Sequence, residues 1–254
     1  MLYEQRHRRY KERRYIMRIV IQFHTQGLRL PLACNYMIQS FIYRVLSADQ
    51  TYGTFVHNSG YRAGNKAFKL FSFRMPYGRY IIEGKDIIFR DCVNLEVRSP
   101  DASFIQTFFS ACQPGSQFFL NGQPVTVAAC LLLNAPLFQN TALVTAVSPI
   151  TVHTTDDTQH TVYYSPEEPA FYELVVHNAQ RKWSSYYADA PFDFSIAPAE
   201  NAAFRRLVTT FKHTYITAWY GKFHLQGSPQ VLDFLYHTGL GSRNSQGFGM
   251  FETI

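Results

Sequence analysis

The 254-residue chain is poor in cysteine, and its four thiols, Cys34, Cys92, Cys112 and Cys130, include no C-x-x-C pair. That scatter argues against a zinc ribbon or a disulfide framework and for reduced thiols, as in a cytoplasmic protein. No run approaches the roughly 18 apolar residues that a membrane helix needs. The basic N-terminus lacks the apolar stretch of a secretory signal, so none is expected. A Gly-Lys-Ser/Thr step is missing, which removes the P-loop, and a G-x-S-x-G elbow is missing, which removes α/β-hydrolase chemistry. Paired acids are few. Asp156-Asp157 falls in an expected turn, and Glu167-Glu168 opens an expected helix, where the dipole favours acids. Neither pair suggests the converging carboxylates of a two-metal nuclease, so no metal and no cofactor are expected.

What the chain does have is apolar mass, aromatics and a local excess of positive charge. It is 46% hydrophobic and 16% aromatic, enough for a substantial core. Its length suits one large domain or two ordinary ones. The net charge is +6, but Arg6, Arg8, Arg9, Lys11, Arg13 and Arg14 against Glu4 and Glu12 supply +4 of it. Residues 1–16 are therefore expected to be a basic tail, disordered or an upstream extension. The remainder is nearly neutral, so any polyanion would be held by a local basic groove and not by total charge.

Hydrophobic periodicity orders the rest. A strand over 17–24 precedes a helix over 34–48, whose Met37, Ile38, Phe41, Ile42 and Val45 form a buried stripe. Tyr36 and Tyr43 fall roughly opposite that stripe. A short helix over 50–58 and a polar loop lead to strands at 67–74, 79–83 and 86–91, then a helix at 101–112 and strands at 117–120 and 123–131. From about Pro136 the order repeats: a strand at 141–153 with a turn at 154–158, a helix at 167–183, and strands at 193–197, 204–212 and 213–226. In the last, Tyr215, Thr217, Trp219, Gly221, Phe223 and Leu225 share one face. Ser228 is expected to cap a final helix that Gly239 ends. Both halves run strand, helix, strands, helix, strand. That order predicts an α+β fold of two tandem ferredoxin-like (β-α-β-β-α-β) domains, 17–136 and 137–254.

The final helix is joined to the last strand by Gly239-Leu-Gly-Ser-Arg-Asn-Ser-Gln-Gly-Phe-Gly249, a G-h-G-x5-G-h-G pattern in which h is apolar. A G-x-G-x-x-G fingerprint would need glycine at Asn244 and a helix after it. The alternative reading is a helix cap followed by a tight turn. Such a loop is expected to present amide groups and Arg243 to an extended polyanion.

This loop resembles the glycine-rich loop of the RAMP superfamily of CRISPR-associated proteins. Other segments resemble that superfamily's repeat-RNA-processing endoribonucleases, the Cas6 family. They are Leu30-Pro-Leu with Tyr36 and Gln39-Ser-Phe-Ile-Tyr43, Val56-His-Asn-Ser-Gly-Tyr61 with Lys69-Leu-Phe-Ser-Phe73, Val147-Ser-Pro-Ile-Thr-Val152, and Trp219-Tyr-Gly-Lys-Phe-His-Leu-Gln-Gly227. The likeness runs in order through residues 17–254. It implies a metal-independent enzyme that cuts precursor CRISPR RNA within repeats, with the substrate's 2′-OH as nucleophile and 2′,3′-cyclic phosphate and 5′-OH ends as products. The implied partners are CRISPR repeat RNA, other CRISPR effector subunits and a second copy of the chain as a homodimer. By motif, the catalytic residues are His57, Tyr43 and Lys69, with Lys66 or Arg62 as alternative cations. The implied RNA-binding residues are Gly239, Gly241, Arg243, Asn244, Gly247, Gly249, Arg62 and Lys66.

The residue types suit that chemistry. In-line attack needs a base for the 2′ proton, an acid for the leaving 5′ oxygen and a cation for the phosphorane. Histidine can fill either proton-transfer role, and a lysine supplies charge without bidentate geometry. Against this stand two readings: a catalytically silent RAMP-type subunit that only holds RNA, and a ferredoxin-like nucleotide-binding or scaffold protein with structural glycines.

Overall fold

The computed structural model describes residues 18–158 and 160–254, so the basic tail at 1–16 and Met17 lie outside the described residues. The first half contains β1 (Arg18–His24), β2 (Leu28–Pro31), α1 (Asn35–Leu46) and α2 (Gln50–Thr54), which continues as a π-helical turn (Phe55–Ser59). Then come β3 (Tyr61–Ala63), β4 (Lys66–Phe68), β5 (Ser72–Phe73), β6 (Tyr77–Glu83), β7 (Asp86–Arg98), α3 (Ala102–Ala111), β8 (Gln117–Leu120) and β9 (Gln123–Leu133). The second half contains β10 (Thr141–Ala146), β11 (His153–Thr155), β12 (Thr161–Tyr163), α4 (Pro169–Tyr187), β13 (Phe194–Pro198), β14 (Arg205–Phe211), β15 (Thr214–Tyr220), β16 (Lys222–Gly227), α5 (Pro229–Thr238) and β17 (Phe251–Thr253).

In the first sheet β6, β7, β1 and β9 are adjacent in that order, and every neighbouring pair is antiparallel. In the second the order is β13-β16-β10-β17, again antiparallel throughout. Each is the second-third-first-fourth arrangement of a β-α-β-β-α-β unit, so the fold is a pair of ferredoxin-like units. The apolar stripe explains how α1 lies on its sheet: Ile38, Phe41, Ile42 and Val45 pack with Ile19, Ile21 and Phe23 of β1 in one buried cluster. In the second unit Phe171, Val175, Ala179 and Trp183 of α4 meet Val231, Leu232 and Leu235 of α5 over Val144 and Phe223.

The units are stitched together in two ways. The β3–β4 hairpin belongs to the first by sequence, but its Phe68 is buried in the second unit's core. Arg98 of β7 is fully buried, stacks 3.8 Å over the ring of Tyr236, and pairs with Glu96 at 2.6 Å and with Glu252 of β17. Breaking such a buried ion pair from one side costs about 3–5 kcal/mol.

Several expected boundaries move, each for a local reason. The strand expected over 141–153 ends at Ala146; Pro149 has no N–H to give a ladder, and Val147 and Ser148 donate instead to Met250. The turn of the following hairpin lies beyond Thr155, not at 154–158, and Asp156 organises it by accepting from the amides of Thr158 and His160. The strand expected over 213–226 divides at Gly221, where the ring of Phe204 fills the space a Cβ would need, 2.5 Å away. As a result β14 and β15 form a separate hairpin. Ser228 occupies the cap position of α5, but its side chain makes no capping bond. Among the described residues no helix is long and apolar enough to cross a membrane.

Candidate active site

Tyr43 lies on the flank of α1, away from the buried stripe, and is half-buried. His57 sits in the π-helical turn with its ring exposed. Their ring centroids are 5.1 Å apart, edge to face, and Phe71 holds the other side of Tyr43 at 5.8 Å. Desolvation pushes the Tyr43 phenol up to about 12, so it keeps its proton at neutral pH and acts as a donor. His57 Nδ1 is 2.7 Å from Asn58 Oδ1. A carbonyl oxygen only accepts, so Nδ1 carries the hydrogen; in the neutral ring this leaves the Nε2 lone pair free.

Lys69 completes the cluster: its Nζ donates to the backbone carbonyl of His57 at 2.8 Å. Gly60 makes that contact possible. It has φ +62°, and a Cβ there would stand 2.5 Å from the Phe68 carbonyl and 3.2 Å from Lys69 Nζ. Desolvation lowers the Lys69 ammonium from its ordinary value. Neither alternative cation has a bond to the His57 turn among the described residues. Arg62 is exposed on β3, and Lys66 lies over the ring of Phe68 at 5.6 Å, opposite Arg181 of α4. Lys66 is also lowered, by desolvation and then by Arg181. Of the three cations, Lys69 is the one that touches the His57 turn.

The glycine loop is built differently from its expectation as an open amide cradle. Gly239, Gly241, Gly247 and Gly249 are all buried with positive φ. Their amides are largely committed inside the protein: Gly239 to Leu235, Gly247 to Asn244 and Gly249 to Pro149, while Ser242 donates to Thr151. At Gly249 a Cβ would stand 2.0 Å from the Leu240 carbonyl, so two backbone segments cross there with no room for a side chain. Asn244 is buried too, donating to the carbonyls of Leu240 and Phe248. Outside, the loop docks on α1, where Asn35 donates to Gln246 O at 2.7 Å and Gln39 to Ser245 O at 2.7 Å. Ser242, Arg243, Ser245 and Gln246 remain half-exposed. Arg243 takes a left-handed backbone conformation and donates to Gln246 Oε1.

Residues 133–253 match the family model for the C-terminal region of CRISPR-associated protein Cas6. The chain is 26% identical over 256 residues to a CRISPR-associated endoribonuclease Cas6 of Methanocaldococcus jannaschii, covering 94% of this chain and 93% of the relative. It is 24% identical over 264 residues to the Cas6 endoribonuclease of Pyrococcus furiosus, covering 94% and 89%. The chain is thus similar to Cas6 along nearly its whole length. A solved structure titled CRISPR associated protein Cas6 superposes with a TM-score of 0.77 at 24% identity, over 94% of this chain and 99% of that one.

Several supporting residues escaped the motif reading. Asp101 Oδ2 accepts from Tyr52, which precedes the His57 turn, at 2.6 Å, and from Tyr61, which follows it. Asp101 Oδ1 also caps α3 at the amide of Ser103, so one carboxylate clamps both ends of the turn to a helix. Lys182 of α4 is completely enclosed and donates to Gly239 O and Asn244 Oδ1, the latter at 2.9 Å. Burial, reinforced by Lys66, lowers its amine to about 7. His153 is lowered to about 4 by burial and then by the charges of Arg243 and Lys66. Arg243 and Lys66 thus both lie near His153, with Arg181 near Lys66. Asp101 had only its expected place at a helix start to mark it. Lys182 carried no signal that distinguishes a buried lysine from a solvated one.

Proposed function

We propose that this protein cleaves precursor CRISPR RNA within its repeats, without a metal ion, in the cytoplasm. The observation that carries the reading is the approach of Tyr43 and Lys69 to the exposed turn that bears His57. His57 Nε2 takes the proton of the 2′-OH, and the 2′ oxygen attacks the adjacent phosphorus. The bond from phosphorus to the 5′ oxygen breaks as the Tyr43 phenol delivers its proton to that oxygen. Lys69, next to the turn, offsets charge on the phosphorane oxygens. The products are a 2′,3′-cyclic phosphate and a 5′-OH. One proton has moved onto His57 and one has left Tyr43, and solvent exchange restores both. In this reading Lys66, Arg181, His153 and Arg243 form a basic groove that holds the strand, and exposed Arg62 contributes a further phosphate contact. In this reading the loop glycines act through loop shape, and Ser242, Arg243, Ser245 and Gln246 meet the RNA.

The test is cleavage of an end-labelled cognate repeat RNA in excess EDTA. Undiminished cutting with cyclic-phosphate ends is expected, together with loss of cutting but not of binding when the scissile nucleotide is 2′-deoxy. Activity that needs added Mg²⁺ would overturn the mechanism. Tight binding of intact RNA with no cleavage would make the chain a silent RNA-holding subunit.

A further inference from the structure

The two faces of the β14–β15 hairpin are covered to different extents. Phe211, Ile216 and Ala218 pack on Phe248 of the glycine loop. On the opposite face Arg206 and Trp219 are direct cross-strand partners; Trp219 is 7% exposed, Arg206 is exposed, and Tyr215 further along is 72% exposed. Beside that face is a cavity of about 570 Å³, lined by Trp219, Phe204 and Arg206 together with Tyr163, Ser165 and Glu167. Its size falls in the roughly 300–1,000 Å³ range of small-ligand sites.

Two features separate this cavity from a packing gap between hairpins. Arg206 and Glu167 both line it and both are exposed, yet among the described residues neither makes an ion pair. Opposite charges are thus present on one cavity without being spent on each other. The cavity also lies next to the basic residues of the proposed groove. Tyr163 on its wall meets the ring of His153 at a tilt, with centroids 5.5 Å apart, and Arg243 and Lys66 both lie near His153. Lys66 is three residues from Lys69, which touches the His57 turn. A strand laid along the groove from the reacting centre would therefore arrive at an aromatic cavity with one donor and one acceptor.

We propose that this cavity receives a single unpaired nucleobase of the bound RNA, stacked on Trp219 and read by Arg206 and Glu167. Aromatic walls bind any base through its π-face. The polar pair adds selectivity. A carboxylate accepts from an exocyclic amino group, and a guanidinium donates to ring or carbonyl acceptors, so adenine, cytosine and guanine fit while uracil, which lacks an amino group, does not. The proposal rests on the RNA-cleavage reading above and adds a recognition site remote from the chemistry.

The experiment measures affinity of the full chain for repeat RNA made uncleavable by a 2′-deoxy scissile nucleotide, with an abasic residue walked along the repeat. At one position away from the cut, the abasic residue should weaken binding about ten-fold, and uracil there should also weaken it. Arg206→Ala and Glu167→Gln, both at exposed side chains, should weaken binding of intact RNA several-fold. Neither should weaken binding of the abasic RNA further, and cleavage at saturating RNA should stay unchanged. As a direct readout, 2-aminopurine at that position should lose fluorescence on binding. Fully additive losses, or bright 2-aminopurine at every repeat position in a tight complex, would overturn the pocket and leave the RNA reading intact. Failure of the wild type to bind any repeat RNA would instead sink the parent reading.

Discussion

The two ferredoxin-like units place their distinctive residues in opposite environments. In the first, His57 stands exposed on a single π-helical turn, and a carboxylate on Asp101 clamps that turn from behind. In the second, the glycines and Asn244 of the loop are buried, with amides largely turned inward and a buried lysine at the loop's base. Proton-transfer groups must reach a substrate, so they belong at a surface with their support beneath. A loop that only sets shape gains from the reverse: internal bonds fix it before any ligand arrives, and less ordering is left for binding to supply.

This contrast implies that the exposed turn of the first unit can lose function without loss of fold, and that the glycines of the loop in the second cannot be changed without it. His57→Ala should lower the cleavage rate about 10²- to 10⁴-fold, the usual range for a lost proton-transfer group. Because the side chain is exposed, the melting temperature and RNA affinity should be nearly unchanged. A drop in melting temperature matching the activity loss would mean that the turn, and not the imidazole, was the target. Gly249→Ala should do the opposite. Left-handed backbone alone costs roughly 1–2 kcal/mol for a residue with a Cβ, and the new methyl would overlap the Leu240 carbonyl. Calorimetry should show a strongly destabilised fold. Gly64→Ala, also at positive φ but with nothing within 4 Å of its Cβ among the described residues, should show only the backbone cost. Equal melting temperatures for the two variants would refute the tight crossing.

Legibility in the sequence followed the range of the interactions. The α1 stripe, the element order and the glycine pattern depend on neighbours a few residues apart, and all three appear in the fold. The meeting of Tyr43 and His57 could be anticipated because α1 and the short helix after it are adjacent in the chain. The break at Gly221 could not, since the period-two pattern runs through it without interruption and only Phe204, 17 residues earlier, fills the space. Asp101 lies 40 residues from Tyr61, and Lys182 lies 62 from Asn244. Local patterns carry no trace of bonds over such separations. The glycine spacing marked the loop but not which way its amides face, because inward and outward amides call for the same residues.

Lys182 offers a subtler test of the internal design. Its amine is lowered from 10.5 to about 7 in the folded protein. Between those values the unfolded chain binds the extra proton, so stability contributed through this group rises with pH from about 7 towards 10.5. Below about 7 both states are protonated and the dependence vanishes. Lys66 and Lys69 shift in the same direction, so the difference between wild type and Lys182→Met isolates this one group. Urea unfolding across that window should show the wild type gaining on the variant as pH rises. RNA affinity of the variant should fall several-fold, because Gly239 O and Asn244 Oδ1 lose their shared donor. A pH-independent difference would mean that Lys182 keeps an ordinary titration despite its enclosure.

The smallest effect is expected at Arg243, where the two environments meet. Its guanidinium is half-buried, bonded only lightly to Gln246 at 3.2 Å, and close enough to His153 to lower that imidazole. Arg243→Ala should weaken RNA binding a few-fold and reduce the slope of log affinity against log salt by about one, the signature of one lost phosphate contact. The same variant has a readout that needs no RNA. Removing a positive charge beside His153 must raise its pKa above the present value of about 4, visible as a shifted midpoint in the ring-proton NMR titration. Stability tied to His153, which falls with acid between 6.5 and about 4, should then fall over a narrower range. If the salt slope changes while His153 titrates as before, Arg243 points to the strand but away from the groove. If His153 moves and the slope does not, Arg243 shapes the groove without touching phosphate, and the RNA contact passes to its neighbours Ser242 and Ser245.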